Sequence, residues 1–191
     1  MSRTRGYRGY CHSRYGTSTL WEIGVTIRHM SSKDRNSFQD YYPDELSHCY
    51  GCGRLNTQGY RIRSYWEGEE TVARFTPAAD HISIPGYVYG GLLASLVDCH
   101  GTGTAAAAAY RAEGREMGSE PPLRFVTASL KVDYLKPTPL GPPLEIRGRV
   151  VEIKGRKVVV AATIAAEGIV CVRGEVVAVQ MPPHMLKTAP G

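Results

Sequence analysis

Only one long stretch of this sequence repeats its apolar residues at helical spacing, and every long segment after it alternates as a β-strand does. The helical stretch runs from Leu92 to Tyr110 or Arg111. Two short alternating segments before it, 60–66 and 71–76, predict a hairpin. Four strand-like segments, rich in Val and Ile and separated by turn residues, follow at 124–136, 144–153, 157–166 and 169–180. This order predicts an α+β fold, in which a curved antiparallel β-sheet wraps one long central helix.

Composition and charge exclude several classes of protein. The chain has 191 residues, of which 42% are hydrophobic, so it is long enough for one domain with its own core. No run approaches the ~18 consecutive apolar residues of a membrane-spanning helix. The net charge is +5, but residues 1–29 carry five arginines against one glutamate, which leaves the remainder close to neutral. We therefore expect a soluble protein that binds neither nucleic acid nor membrane.

The two ends of the chain are predicted to lie outside the folded domain. Residues 1–43 are interpreted as a basic extension that is disordered or dispensable, with a targeting peptide or a functional arm as alternatives. The folded domain is predicted at 44–181 and a loose tail at 182–191. Five cysteines, an odd number in a chain too long to need disulfides, favour a reducing compartment and hence a cytoplasmic location.

A Cys-x-x-Cys pair, Cys49 and Cys52, precedes the predicted hairpin. Tetrahedral zinc needs four ligands, and the remaining cysteines lie far along the chain, in a helical and a strand-like pattern. We therefore predict no metal site and interpret the pair as part of a packed turn. Structural zinc and a redox-active pair remain alternatives.

Asp98 is the residue of the predicted helix that is least compatible with burial, because an ionised carboxylate is costly to remove from water. The helix positions three and four residues away are all small: Ala94, Ser95, Gly101 and Thr102. This spacing predicts a groove along one helix face with a carboxylate at its middle. The alternative is a buried aspartate that caps a loop amide or pairs with an arginine.

The start of the same helix predicts a second element of a site. Gly90 and Gly91 place backbone N–H groups at a helix N-terminus, where no helical acceptor is available and the helix dipole favours negative charge. Such donors suit a carbonyl oxygen that develops negative charge during a reaction. A sharp turn from loop to helix is the alternative interpretation of the two glycines.

Residues 80–98, which include Tyr89, Gly90, Gly91 and Asp98, resemble the His-Gly-Gly helix motif of the hotdog-fold acyl-CoA thioesterases, in the phenylacetyl-CoA thioesterase-like branch. Three further segments resemble parts of the same pattern: 48–60 its Cys-x-x-Cys-Gly opening, 127–137 its Tyr-x-x-Pro strand, and 155–157 its basic turn. The likeness covers about residues 45–181. It implies a hotdog fold and a homodimer or a dimer of dimers.

The resemblance also implies an enzyme, which hydrolyses an acyl-CoA thioester to a carboxylic acid and free CoA. Asp98 is then the general base or nucleophile, and Thr127 orients the attacking water. The amides of Gly90 and Gly91 hold the thioester oxygen. No separate cofactor is expected, because coenzyme A is part of the substrate. In hotdog dimers the helix carboxylate and the strand hydroxyl usually come from different subunits, which puts the active site at the subunit interface.

Strand alternation is consistent with this arrangement. One apolar face is predicted for the segment after the helix: Val126, Ala128, Leu130, Val132 and Tyr134. Thr127 is therefore expected to point away from its own core. For the phosphates of CoA, the candidates are the cations at a predicted hairpin turn, Lys154, Arg156 and Lys157.

Two positions depart from the family pattern. Tyr89 stands where the family has His, and Ser83 stands where an amide side chain is often found six residues earlier. A phenol or hydroxyl can still donate a hydrogen bond to a carbonyl, so both residues are retained as site candidates. The departures keep two alternatives open, a non-catalytic acyl-CoA-binding hotdog domain and a hotdog hydratase.

Overall fold

The computed structural model describes residues 36–182. The basic leader at 1–29, the rest of the predicted extension up to residue 35, and the predicted tail after residue 182 lie outside the described residues. The strands and the helix are β1 (Ser64–Glu67), β2 (Glu70–Phe75), β3 (Ile82–Ile84), β4 (Tyr87–Val88), α1 (Gly90–Ala112), β5 (Phe125–Tyr134), β6 (Leu144–Lys154), β7 (Lys157–Ala166) and β8 (Ile169–Gln180). Across 36–182, no helix is long and apolar enough to span a membrane.

Six strands form one antiparallel sheet in the order β1-β2-β6-β7-β8-β5, and α1 packs against its last four strands. The sheet is rich in β-branched residues, and their alternation buries one face against the helix. The core joins helix residues such as Leu96 and Val97 to sheet residues such as Ile146 and Val172, all of them buried. The predicted α+β architecture is confirmed. The small sheet of β3 and β4 lies between the hairpin and α1, where no strands were predicted.

Strand β5 forms one edge of the large sheet, and its side-chain alternation is interrupted. Thr127 pairs with Ala178 and Ser129 pairs with Val177, so Ala128 is an extra residue in a β-bulge. Beyond the bulge, Leu130 pairs with Val176, which faces α1. Thr127 therefore lies on the helix side together with Leu130, although the two are three residues apart.

The prediction that Thr127 points away from its own core is wrong, and the bulge is the physical reason. The predicted apolar face holds for Leu130, Val132 and Tyr134, which pair with residues on the helix side of β8. It fails on the other side of Ala128, because one extra residue reverses the alternation. No local pattern in the sequence marks this position as a bulge.

The chain packs against the core before residue 44, the predicted start of the domain. Ser37, Phe38 and Gln39 are buried, and Phe38 starts a short 3-10 helix. The Phe38 ring lies 5.7 Å from that of Trp66, edge to face. The Gln39 amide accepts a 2.9 Å hydrogen bond from the backbone N–H of Ser64. The described part of the predicted extension therefore belongs to the folded body.

A buried polar cluster holds α1 against the hairpin. The His100 ring is fully buried, with Nδ1 2.9 Å from Ser64 Oγ and Nε2 3.0 Å from Thr71 Oγ1. Thr71 Oγ1 also lies 2.6 Å from Thr104 Oγ1. Burial lowers the pKa of His100 to about 4, because the charged imidazolium would lose its hydration. The ring is therefore neutral at pH 7 and has a packing role, as expected for this histidine.

Candidate active site

Asp98 and Thr127 meet within one chain. Asp98 lies in the middle of α1 and is half-buried, and the Thr127 hydroxyl donates a hydrogen bond to Asp98 Oδ1. The β5 bulge makes this contact possible, because it turns Thr127 toward the helix. The resemblance implied that these two groups come from different subunits, so their pairing within one chain differs from that expectation.

Burial raises the pKa of the Asp98 carboxyl, and the hydrogen bond from Thr127 opposes that rise. A carboxylate whose proton affinity is raised is a better acceptor for a proton from water. Among residues 36–182, the side chain that hydrogen-bonds to the Asp98 carboxyl is a hydroxyl and not an arginine. The arrangement can therefore orient and activate a water molecule rather than merely neutralise a charge.

A cavity of about 260 Å³ opens beside this pair. Its other walls come from the chain around the Cys-x-x-Cys turn, from the next two turns of α1 and from the start of β5. Among the residues that line it are Asp98, Thr127, Cys49, Cys52, Cys99 and Arg124. Both the acid and the hydroxyl predicted for catalysis therefore face a space that small molecules can enter.

Arg124 is a cavity residue that the sequence analysis missed. Its Nη2 donates to the Leu46 carbonyl at 3.2 Å, and its guanidinium lies 3.4 Å from the centre of the Tyr42 ring. Its Nε and Nη1 are buried and have no hydrogen-bond partner among the described residues. The cavity therefore contains a cation with N–H groups that can donate hydrogen bonds to a bound molecule. An arginine just before a strand carries no sequence signal for this role.

The N-terminus of α1 lies away from this cavity. Gly90 and Asp98 are eight residues apart in one helix, which at about 1.5 Å per residue separates them by about 12 Å along the axis. The Tyr89 ring lies so close to Gly91 that a Cβ there would be 2.5 Å from it. The Tyr134 hydroxyl donates to the Gly90 carbonyl at 2.8 Å. These candidates form a second cluster, separate from Asp98 and Thr127.

The remaining candidates are placed around the two clusters. Ser83 is exposed in β3, and its hydroxyl lies 3.5 Å from the carbonyl oxygen of Tyr87. Lys154 ends β6 and Lys157 begins β7; Lys157 pairs with Glu152 at 2.6 Å. Arg156, in the turn between them, donates to the carbonyl of Gln180 at 2.5 Å. The residue after Gln180 lines the Asp98 cavity, so the basic turn lies near its rim.

Cys99 joins the Cys-x-x-Cys pair. The sulfurs of Cys49, Cys52 and Cys99 lie within 4.8 Å of one another, and the distance from Cys49 Sγ to Cys99 Sγ is 3.8 Å. On the sequence, Cys99 is set apart from the pair because it lies far along the chain, but the fold brings it to the pair. Cys99 follows Asp98 in α1, and the turn packs onto the helix there; a contact between residues so far apart in sequence leaves no local pattern.

Comparisons with known proteins assign this chain to a family. The model of the thioesterase superfamily matches residues 85–179. The crystal structure of a thioesterase superfamily protein from Shewanella loihica is 48% identical, covers 74% of this chain and 100% of that one, and has a TM-score of 0.56. The chain belongs to the thioesterase superfamily. The predicted family and the hotdog fold are confirmed.

Two further comparisons show a shared fold and a partial sequence match. The Escherichia coli PaaI protein, from the phenylacetic acid degradation operon, shares the fold at 16% identity, with a TM-score of 0.53 and coverage of 64% of this chain and 81% of that one. Mouse acyl-coenzyme A thioesterase THEM4 is 33% identical over 96 residues, which are 50% of this chain and 36% of that protein. The chain spans about a third of the length of the curated relatives it matches.

Proposed function

We propose that this thioesterase-superfamily chain hydrolyses acyl-CoA thioesters to a carboxylic acid and free CoA. The observation that carries the proposal is a half-buried carboxylate, Asp98, hydrogen-bonded to the Thr127 hydroxyl beside a cavity. The names of the curated relatives support CoA as the carrier. The basic turn near the rim of the cavity, with Arg156, supports binding of the CoA phosphates there.

In the proposed reaction Asp98 accepts a proton from water while Thr127 holds that water in line with the thioester carbonyl. The water oxygen forms a bond to the carbonyl carbon, and the electron pair of the C=O bond moves to its oxygen. When this tetrahedral intermediate collapses, the carbon–sulfur bond breaks and the CoA sulfur takes the proton from Asp98. In the alternative mechanism, the Asp98 carboxylate itself attacks the thioester carbonyl carbon, and water enters in a second step.

The carbonyl oxygen needs donors, and a second copy of the chain is the proposed source. A carbonyl must lie about 3 Å from both the water and the oxyanion donors, whereas Gly90 is about 12 Å from Asp98 along its own helix. Strand β5 is an edge strand with exposed apolar side chains, Val126 and Leu130. Pairing of two copies through this edge would bring the helix N-terminus of one toward the cavity of the other.

This arrangement predicts complementation between two inactive variants. Gly90→Pro removes one N–H donor but suits the first helical position, and the extended backbone of Tyr89 (φ −62°, ψ 128°) suits a residue before proline. We expect Gly90→Pro to lose activity by about 10²–10³-fold. Mixed and refolded at equal amounts with Asp98→Asn, it should recover about a quarter of wild-type activity, because half of the dimers have one complete site.

Measurement of the mass in solution accompanies this test. A dimer whose mixed variants recover no activity would show that each active site is built from one chain. A monomer with full activity would remove the second copy from the mechanism.

Of the alternatives, the hydratase is disfavoured because the histidine nearest to Asp98 in the chain, His100, is fully buried and engaged with Ser64 and Thr71. The binding domain is favoured by one observation, the tyrosine at the position of the family histidine. Tyr89 is 56% exposed at the helix N-terminus, where it lies over Gly91.

Release of free thiol from short, long and aromatic acyl-CoAs distinguishes a hydrolase from a binder. We expect at least one substrate to be hydrolysed with saturation kinetics, well above the rate without protein. Calorimetric titration with the same acyl-CoAs is run in parallel. Binding without thiol release from any of them would replace the hydrolase with the binder, and neither binding nor release would overturn both.

A further inference from the structure

The structure brings together three cysteine sulfurs that the proposed hydrolysis does not use. They belong to Cys49 and Cys52, in the turn before the hairpin, and to Cys99 in α1. We propose that these three sulfurs bind a thiophilic divalent cation, Zn²⁺ in the first instance, and that its fourth coordination position opens to the cavity. The cation ties the N-terminal turn to the central helix.

The spacing of the sulfurs suits zinc. In a tetrahedral site with Zn–S bonds of about 2.3 Å, two sulfurs lie about 3.8 Å apart. The distance from Cys49 Sγ to Cys99 Sγ is 3.8 Å, and all three sulfurs are within 4.8 Å of one another. A small inward movement of side chains therefore completes the three-sulfur face. Three protein ligands with one open position are a known form of zinc coordination.

Glycines shape the turn so that it can hold its sulfurs against the helix. A Cβ at Gly51 would lie 2.3 Å from Cys99 Sγ, so a larger residue there would displace the helix cysteine. A Cβ at Gly53 would lie 2.5 Å from the backbone nitrogen of Cys49. The Gly53 N–H donates to the Cys49 carbonyl at 2.8 Å and closes the turn. These close approaches, together with the Gly53–Cys49 hydrogen bond, hold the turn against the helix.

A partly buried cation beside the cluster can balance the charge of a zinc–thiolate site. A Zn²⁺ ion with three thiolates carries one net negative charge. Arg124, whose Nε and Nη1 are buried without a partner, lines the same cavity and supplies the compensating positive charge.

Cobalt provides a visible probe of the site that does not depend on activity. The full chain is reduced with a phosphine, stripped with a chelator and titrated with Co²⁺ under argon. We expect one Co²⁺ per chain, absorption from thiolate-to-cobalt charge transfer, and loss of that absorption when Zn²⁺ is added. Zn²⁺ should also raise the melting temperature of the stripped protein.

Matched variants assign the ligands. Cys49→Ser, at an exposed position, and Cys99→Ser should each abolish the charge-transfer absorption and the rise in melting temperature. Cys171→Ala, in β8, and Cys11→Ser should keep both. Absence of charge-transfer absorption in the wild type would overturn the proposal, and so would absorption that survives Cys49→Ser. Oxidation to a Cys49–Cys52 disulfide with no metal uptake by the reduced protein would assign the cluster to thiol redox chemistry instead.

Discussion

Substitution of Asp98 by asparagine should lower kcat for acyl-CoA hydrolysis by about 10²–10⁴-fold, because the amide cannot accept the proton of the attacking water. The amide oxygen can still accept the Thr127 hydrogen bond, and the side chain has almost the same volume. We therefore expect the fold and the KM to change little. Rates of thiol release and melting curves of wild type and variant measure both quantities.

The control for this substitution is Asp133→Asn, which removes an exposed carboxylate of β5 that pairs with Lys131 at 3.3 Å. It should leave kcat within about twofold of wild type, since surface pairs contribute little. Thr127→Val should lower kcat less than Asp98→Asn, and Thr127→Ser should restore most of the loss. A fully active Asp98→Asn would show that this carboxylate is not the base.

Acid should destabilise the protein through His100, by about 3 kcal/mol between pH 6.5 and pH 4. The unfolded chain binds this proton near pH 6.5, whereas burial lowers the pKa of His100 in the folded protein to about 4. The unfolded state therefore binds more protons in this window, and stability is full above it and declines as the pH falls through it. Urea unfolding at a series of pH values measures the decline.

His100→Gln isolates this contribution from that of the carboxylates. Glutamine does not titrate, and its amide can still bond to Ser64 or Thr71. The variant should be less stable than wild type at pH 7 but should lose less stability on acidification. Equal losses in the two proteins would assign the acid sensitivity to other groups. The NMR titration of the His100 ring in the wild type gives the same answer without a variant: the ring should stay neutral down to about pH 5.

Sequence periodicity was sufficient to predict the main elements of this fold. The helix around Leu96 and the four strands after it differ from the structure mainly at their ends. This success has a physical basis, because the burial of one helix face and one sheet face must appear as a repeat in the residues themselves. The short strands β3 and β4 were missed, since two or three residues cannot show a period.

The candidate site was predictable only in part. Asp98 could be recognised because a charged residue in an apolar helix needs an explanation. The cluster with Cys99 and the cavity position of Arg124 depend on contacts between distant segments, which no local pattern records. The orientation of Thr127 depends on the bulge, and the separation of Gly90 from Asp98 becomes meaningful only when the extent of α1 is known.

The bulge in β5 has a consequence for how this protein tolerates change. Thr127 faces the helix because Ala128 is left out of the pairing; in a ladder without the bulge, Ala128 would pair with Ala178 and Thr127 would turn to the other side of the strand. Removal of Ala128 would instead leave a regular ladder in which Thr127 still pairs with Ala178 and still faces α1. The hydroxyl of the site therefore depends on where the ladder is interrupted, so a shift of the bulge toward the start of β5 would remove it from the cavity without any change of sequence at Thr127.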